Sequence, residues 1–101
     1  MEKVIRDGKV AVLVSNRYGG GFSTWGAPDE LIFNPTLINF VENNDFESAI
    51  YYVETNYPVV YTGGISNLVI QWVPEGKRFR INEYDGFETI VLEEEIHWLK
   101  A

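Results

Sequence analysis

The sequence predicts a single α+β domain, with a central mixed or antiparallel sheet of four or five strands and two helices packed on one side. Three observations carry that expectation. A short, β-branched apolar run lies near the amino end, two stretches with helically spaced apolar residues occupy the middle, and the last third alternates apolar and polar residues between turn signals.

The run Lys9-Val10-Ala11-Val12-Leu13-Val14 reads as the central strand, covered on both faces because it is almost continuously apolar. Before it, Asp7-Gly8 is a two-residue hairpin signal, which makes Val4 to Arg6 a short edge strand. Periodicity then vanishes from Ser15 to Pro28, where Gly19-Gly20-Gly21 and Gly26 mark a long loop. Asn34-Pro35 starts a helix: asparagine caps free backbone N–H groups, and proline at the first helical position lacks the donor that would go unpaired. Leu37, Ile38 and Val41 form its apolar side. After Asn43-Asn44-Asp45, the spacing of Phe46, Ala49, Ile50, Val53 and Tyr57 predicts a second helix running to about Asn56, with Asp45 and Glu47 near its positive end.

Pro58 ends that helix, and Val59-Val60-Tyr61 leads into Gly63-Gly64. A three-stranded antiparallel meander is expected next, with strands at Asn67–Val73, Arg78–Tyr84 and Phe87–Leu92, and turns at Pro74-Glu75-Gly76-Lys77 and Asp85-Gly86. Its register stays open. Glu93-Glu94-Glu95 breaks the pattern before Ile96, Trp98 and Leu99, which dock a last segment of undefined form.

The 101 residues fit one domain spanning 1–101, since a chain of this size removes roughly 60–65% of its unfolded surface from water. Hydrophobic residues at 46% and aromatics at 15% set it apart from disordered chains, which lack the apolar surface that offsets ordering entropy. The absence of cysteine excludes disulfides, thiolate metal sites and cysteine nucleophiles, and a cytoplasmic location is expected. No apolar run approaches the ~20 residues of a membrane span, and the amino-terminal residues lack the apolar stretch of a signal peptide. A net charge of −7 argues against direct binding to a nucleic-acid backbone and favours a basic partner, although an acidic surface also serves solubility alone.

The candidate ligand-binding stretch is Asn16, Arg17, Tyr18, Gly19, Gly20, Gly21, Ser23, Thr24 and Trp25. It follows the end of the presumed central strand, where ligands tend to bind in α/β sheets, and its glycines let backbone amides approach an anion. Arg17 suits phosphate or carboxylate, Ser23 and Thr24 offer hydroxyls, and Tyr18, Phe22 or Trp25 offer rings for stacking. Neither standard phosphate-loop pattern is present: after Gly19 and Gly21, the position that would complete G-x-G-x-x-G is Thr24. The alternative is a structural glycine turn anchored by Trp25 in the core.

A second candidate pairs Arg78 and Arg80, which alternation sends to one face and which suit a phosphate, or else sit on a solvated sheet face paired with glutamates. The sole histidine, His97, reads as structural. Glu83, Asp85 and Glu88 are carboxylates of the acid–base type, but their spacing around a hairpin explains them without catalysis. No cofactor or metal is expected.

Val10-Ala11-Val12-Leu13-Val14-Ser15, Gly19 to Trp25, Trp72-Val73-Pro74-Glu75-Gly76 and Phe79-Arg80-Ile81-Asn82-Glu83-Tyr84-Asp85-Gly86-Phe87-Glu88 together resemble a group of small tailed-bacteriophage and prophage proteins, with Asn16-Arg17 standing where that group's pattern has Pro-Gly. The resemblance implies an accessory protein in the cytoplasm of an infected host, with counter-defence as a common task. Two routes fit the residues. One is sequestration of a small phosphorylated or nucleotide-like molecule in the glycine loop, in a pocket completed by a second subunit of a homo-oligomer. The other is inhibition of a basic host protein by an acidic surface at Glu42, Asp45, Glu47 and Glu93 to Glu95.

Overall fold

The computed structural model describes residues 1–95 and 99–101, and places an α+β fold on them in three layers. Strands β1 (Ile5–Arg6), β2 (Lys9–Ser15) and β3 (Leu68–Pro74) form an antiparallel sheet in the order β1-β2-β3. Helices α1 (Asp29–Ile32), α2 (Pro35–Glu42) and α3 (Phe46–Asn56) follow β2, and β4 (Phe79–Tyr84) and β5 (Phe87–Leu92) form a separate hairpin.

Both glycine hairpins form as the sequence requires. Asp7 and Gly8 have φ of 51° and 74°, and Asp85 and Gly86 have 49° and 89°, the doubly positive pair of a type I′ turn. Asn34 caps α2 by accepting from the Leu37 amide at 2.9 Å, with Pro35 in the first turn. Asp45 does the same for α3 through Ser48 at 3.2 Å, so its role is a cap and not only a charge near the dipole.

β2 pairs with β3 along its whole length, from Lys9↔Pro74 to Ser15↔Leu68, and is buried on both faces. Ala11 and Leu13 meet Leu37, Ile38, Val41, Ala49 and Val53 of the helices, while Val12 and Val73 meet Phe79, Ile81, Ile90 and Leu92 of the hairpin. Alternation along one strand thus serves two cores.

The meander expected in the last third divides between two sheets, so the five strands do not make one central sheet. Pro74-Glu75-Gly76-Lys77 makes a turn, with the Lys77 amide on the Pro74 carbonyl at 3.1 Å, but the Glu75 amide is drawn to the Gly8 carbonyl at 2.8 Å. β3 therefore ends on the β1–β2 turn, and the chain crosses to lay its next apolar pair on the other face of the sheet. A short α1 turn and a 3-10 turn at Ile65–Asn67 lie where the sequence shows no periodicity. Ile96, His97 and Trp98 lie outside the described residues. No helix among the described residues is long and apolar enough to cross a membrane.

Candidate functional site

The glycine loop closes around a carboxylate of its own chain. In β5, Ile90 and Leu92 face the core, and alternation carries Glu88 to the same inward side. Glu88 is only 2% exposed. Its Oε1 accepts from the amides of Ser15 at 2.8 Å and Ser23 at 3.3 Å, and its Oε2 from the amides of Phe22 at 3.1 Å and Thr24 at 2.7 Å. The Thr24 hydroxyl donates a further bond to Oε2 at 2.6 Å. A buried carboxylate needs such compensation, because desolvation of an unpaired charge costs several kcal/mol, on the order of the whole stability of a small domain. The cluster of amides is an anion-binding nest whose anion is internal.

This changes the part the loop amides were expected to play. Those of Phe22, Ser23 and Thr24 face Glu88 and not an outside anion, and the Ser23 hydroxyl is likewise turned inward, donating to the Leu13 carbonyl at 2.5 Å. Phe22, fully buried, is the loop's core anchor, whereas Trp25 remains 38% exposed.

The glycines act as contact points between backbones. A β-carbon on Gly86 would lie 2.6 Å from the Gly20 nitrogen, and one on Gly64 would meet the Gly20 and Gly21 carbonyls. Three chain segments thus touch at Gly20-Gly21, Gly63-Gly64 and Gly86, where only the lack of side chains permits the approach. The Gly19 amide completes the junction by donating to the Asp85 carbonyl at 2.6 Å.

Aromatic rings border this junction. Tyr18 packs edge-on to Tyr84 at 6.2 Å and against Phe87 at 5.2 Å. Trp25 lies against Tyr61 at 5.5 Å and donates its indole N–H to Glu83 at 3.3 Å. Glu83 also accepts from the Gly86 amide at 2.7 Å, which fixes the hairpin tip to the loop. Tyr18 and Tyr84 are 65% and 76% exposed.

The remaining candidates separate. Asn16 and Arg17 are exposed, with the Asn16 amide donating to the Asn67 carbonyl. Arg78 pairs with Glu93 at 3.5 Å beside the Lys77–Glu94 pair, while Arg80 joins Ser23 and Thr24 at a cleft of about 340 Å3 walled by Ile32, Phe33, Phe79 and Ile81. Of the acidic residues, Glu42 is bonded to Arg6, Asp45 is a cap, and Glu93 and Glu94, in a 3-10 turn after β5, pair with Arg78 and Lys77 just before β4; Glu47 stays exposed on α3. His97 lies outside the described residues.

Glu88 is the residue whose role sequence reasoning missed. Its inward position was readable from Ile90 and Leu92, but its donors lie 64 to 73 positions away along the chain. Glu83 and Glu88 stand opposite one another across the hairpin, but Glu88 is buried and both its oxygens accept from donors of its own chain. Among the described residues no group of three or more His, Cys, Asp or Glu is placed to hold a metal ion. No protein-family model, curated protein or solved structure matches the chain.

Proposed function

We propose that this chain is a noncatalytic binding domain that engages a protein partner through the aromatic corner built from the glycine loop and the β4–β5 tip. One observation carries the reading: the Glu88 carboxylate ties three loop amides, the amide at the end of β2 and a loop hydroxyl to the hairpin, so the exposed rings of Tyr18 and Tyr84 sit on a rigid support. Exposed tyrosine and tryptophan that lose little freedom on contact supply much of the energy at protein interfaces, and a fixed loop removes the ordering penalty in advance. Combined with the resemblance to phage accessory proteins, the reading makes the partner a protein of the host cell.

The test replaces Tyr18 and Tyr84 together by serine, a change on exposed rings that leaves the circular dichroism of the fold intact. Partners captured from the host extract by the wild-type chain are expected to be lost from this variant. An unchanged set of partners would remove the corner as the contact surface.

A second reading, sequestration of a small phosphorylated or nucleotide-like molecule, is favoured by one feature. Arg80 stands at the cleft walled by Ile32, Phe33, Phe79 and Ile81, where it offers a cation and the rings offer a wall, although Asp29 shares the lining and the Ser23 and Thr24 hydroxyls are already given to Leu13 and Glu88. Native mass spectrometry decides it. A retained small molecule lost on Arg80→Ala supports this reading, and a bare wild-type chain purified from the infected host opposes it.

A further inference from the structure

Between Tyr18 and Gly76 the chain contains no lysine or arginine, but it contains Asp29, Glu30, Glu42, Asp45, Glu47, Glu54 and Glu75. The whole net charge of −7 therefore lies in this segment, because the eight acids and eight bases outside it cancel. Cations from the amino-terminal strand region reach it at two points: Arg6 donates to Glu42 at 2.5 and 2.9 Å, and Lys3 lies over the Phe33 ring at the end of α1 at 4.7 Å. The helical layer is thus an anionic surface on a chain that is otherwise balanced.

The same layer carries an open groove of about 640 Å3 along α3, whose lining includes Phe40, Glu47, Ile50, Tyr51, Tyr52 and Glu54. Tyr51 is 72% exposed. The spacing of these residues is helical: Glu47, Ile50, Tyr51 and Glu54 stand at positions i, i+3, i+4 and i+7, so α3 presents two carboxylates with an apolar step between them. Seven residues of helix span about 10.5 Å, the distance that separates two side chains at i and i+7 on any helix laid alongside.

We infer that this groove is a docking site for a basic amphipathic helix of another protein, one that sets lysines or arginines seven residues apart against Glu47 and Glu54 and places apolar residues between them on Ile50 and Tyr51. Charge complementarity selects this occupant. The same layer of a second copy is a poor fit, because neither α2 nor α3 contains a cation and face-to-face pairing would set glutamate against glutamate. The site lies on the helical layer and stands or falls independently of the aromatic corner.

Fluorescence anisotropy on the full-length chain tests the inference with a labelled peptide of about 18 residues, long enough to form the helix on docking. Lysines occupy every seventh position, with leucines three and four residues after each. The expected result is saturable binding that weakens with added salt, drops about tenfold or more in the Glu47→Gln/Glu54→Gln chain, and drops again with Tyr51→Ala. All three residues lie on the surface of α3, so the variants fold, and the Tyr18→Ser/Tyr84→Ser chain is expected to bind the peptide unchanged. Equal binding of a scrambled peptide of identical composition would overturn the inference by showing charge attraction without a groove. So would unaltered affinity in the double glutamine variant.

Discussion

The loop-and-hairpin corner and the α2–α3 layer are held together by opposite means. In the helical layer, Leu37, Ile38, Val41, Ala49 and Val53 bury aliphatic side chains against Ala11 and Leu13, and the acidic groups stay at the surface. In the corner, a carboxylate is buried and backbone meets backbone, with glycines at the contacts and rings displaced outward. The difference teaches where each region keeps its capacity to bind. The helices keep all their charge at the surface, whereas the corner has buried one carboxylate to fix its shape and presents aromatic surface.

Glu88→Gln breaks the comparison most sharply. One amide oxygen then replaces two charged acceptors, and the new NH2 faces donors, so stability is expected to fall by about 3 kcal/mol in urea unfolding. If the corner were held by apolar packing like the helices, this nearly isosteric change would have little effect. Gly86→Ala follows at about 2 kcal/mol, because it places a β-carbon against the Gly20 backbone at a φ of 89°. Thr24→Val removes one hydroxyl donor but leaves the Thr24 amide bonded to Glu88, and about 1 kcal/mol is expected by the same measurement.

The smallest effect belongs to the helical side. The hydrogen bonds from Arg6 hold the Glu42 carboxyl below its ordinary range. A folded-state pKa below the unfolded one adds stability that is present above the unfolded value of about 4.3 and is lost as pH falls through the folded value. Glu42→Gln is therefore expected to flatten the acid limb of stability against pH slightly, and added salt to reduce the difference. Urea midpoints at neutral and acid pH check it.

Local chemistry was legible where the answer lies within a few residues. Asp7-Gly8 and Asp85-Gly86 announce their turns, Asn34-Pro35 announces α2, and Val10 to Val14 announces a strand covered on both faces. The division into two sheets was not legible, because Pro74-Glu75-Gly76-Lys77 reads equally well as a hairpin turn or as the crossing it makes. What separates the two is the bond from the Glu75 amide to Gly8, a contact across the fold. The glycine loop showed a related ambiguity: its composition reads as an anion cradle, and the loop does surround an anion, but the anion is Glu88 from the far end of the sequence. Arg80 reached the loop cleft while Arg78 turned to Glu93, a separation that alternation alone does not reveal.

The central claim is that the Glu88 carboxylate fixes the loop, and amide hydrogen exchange tests it most directly. In the wild-type chain the amides of Phe22, Ser23 and Thr24 are expected to exchange slowly. In Glu88→Gln they should become fast, while the amides of α3 change far less. Fast exchange of those three amides in the wild type, or unchanged protection in the variant, would contradict the account.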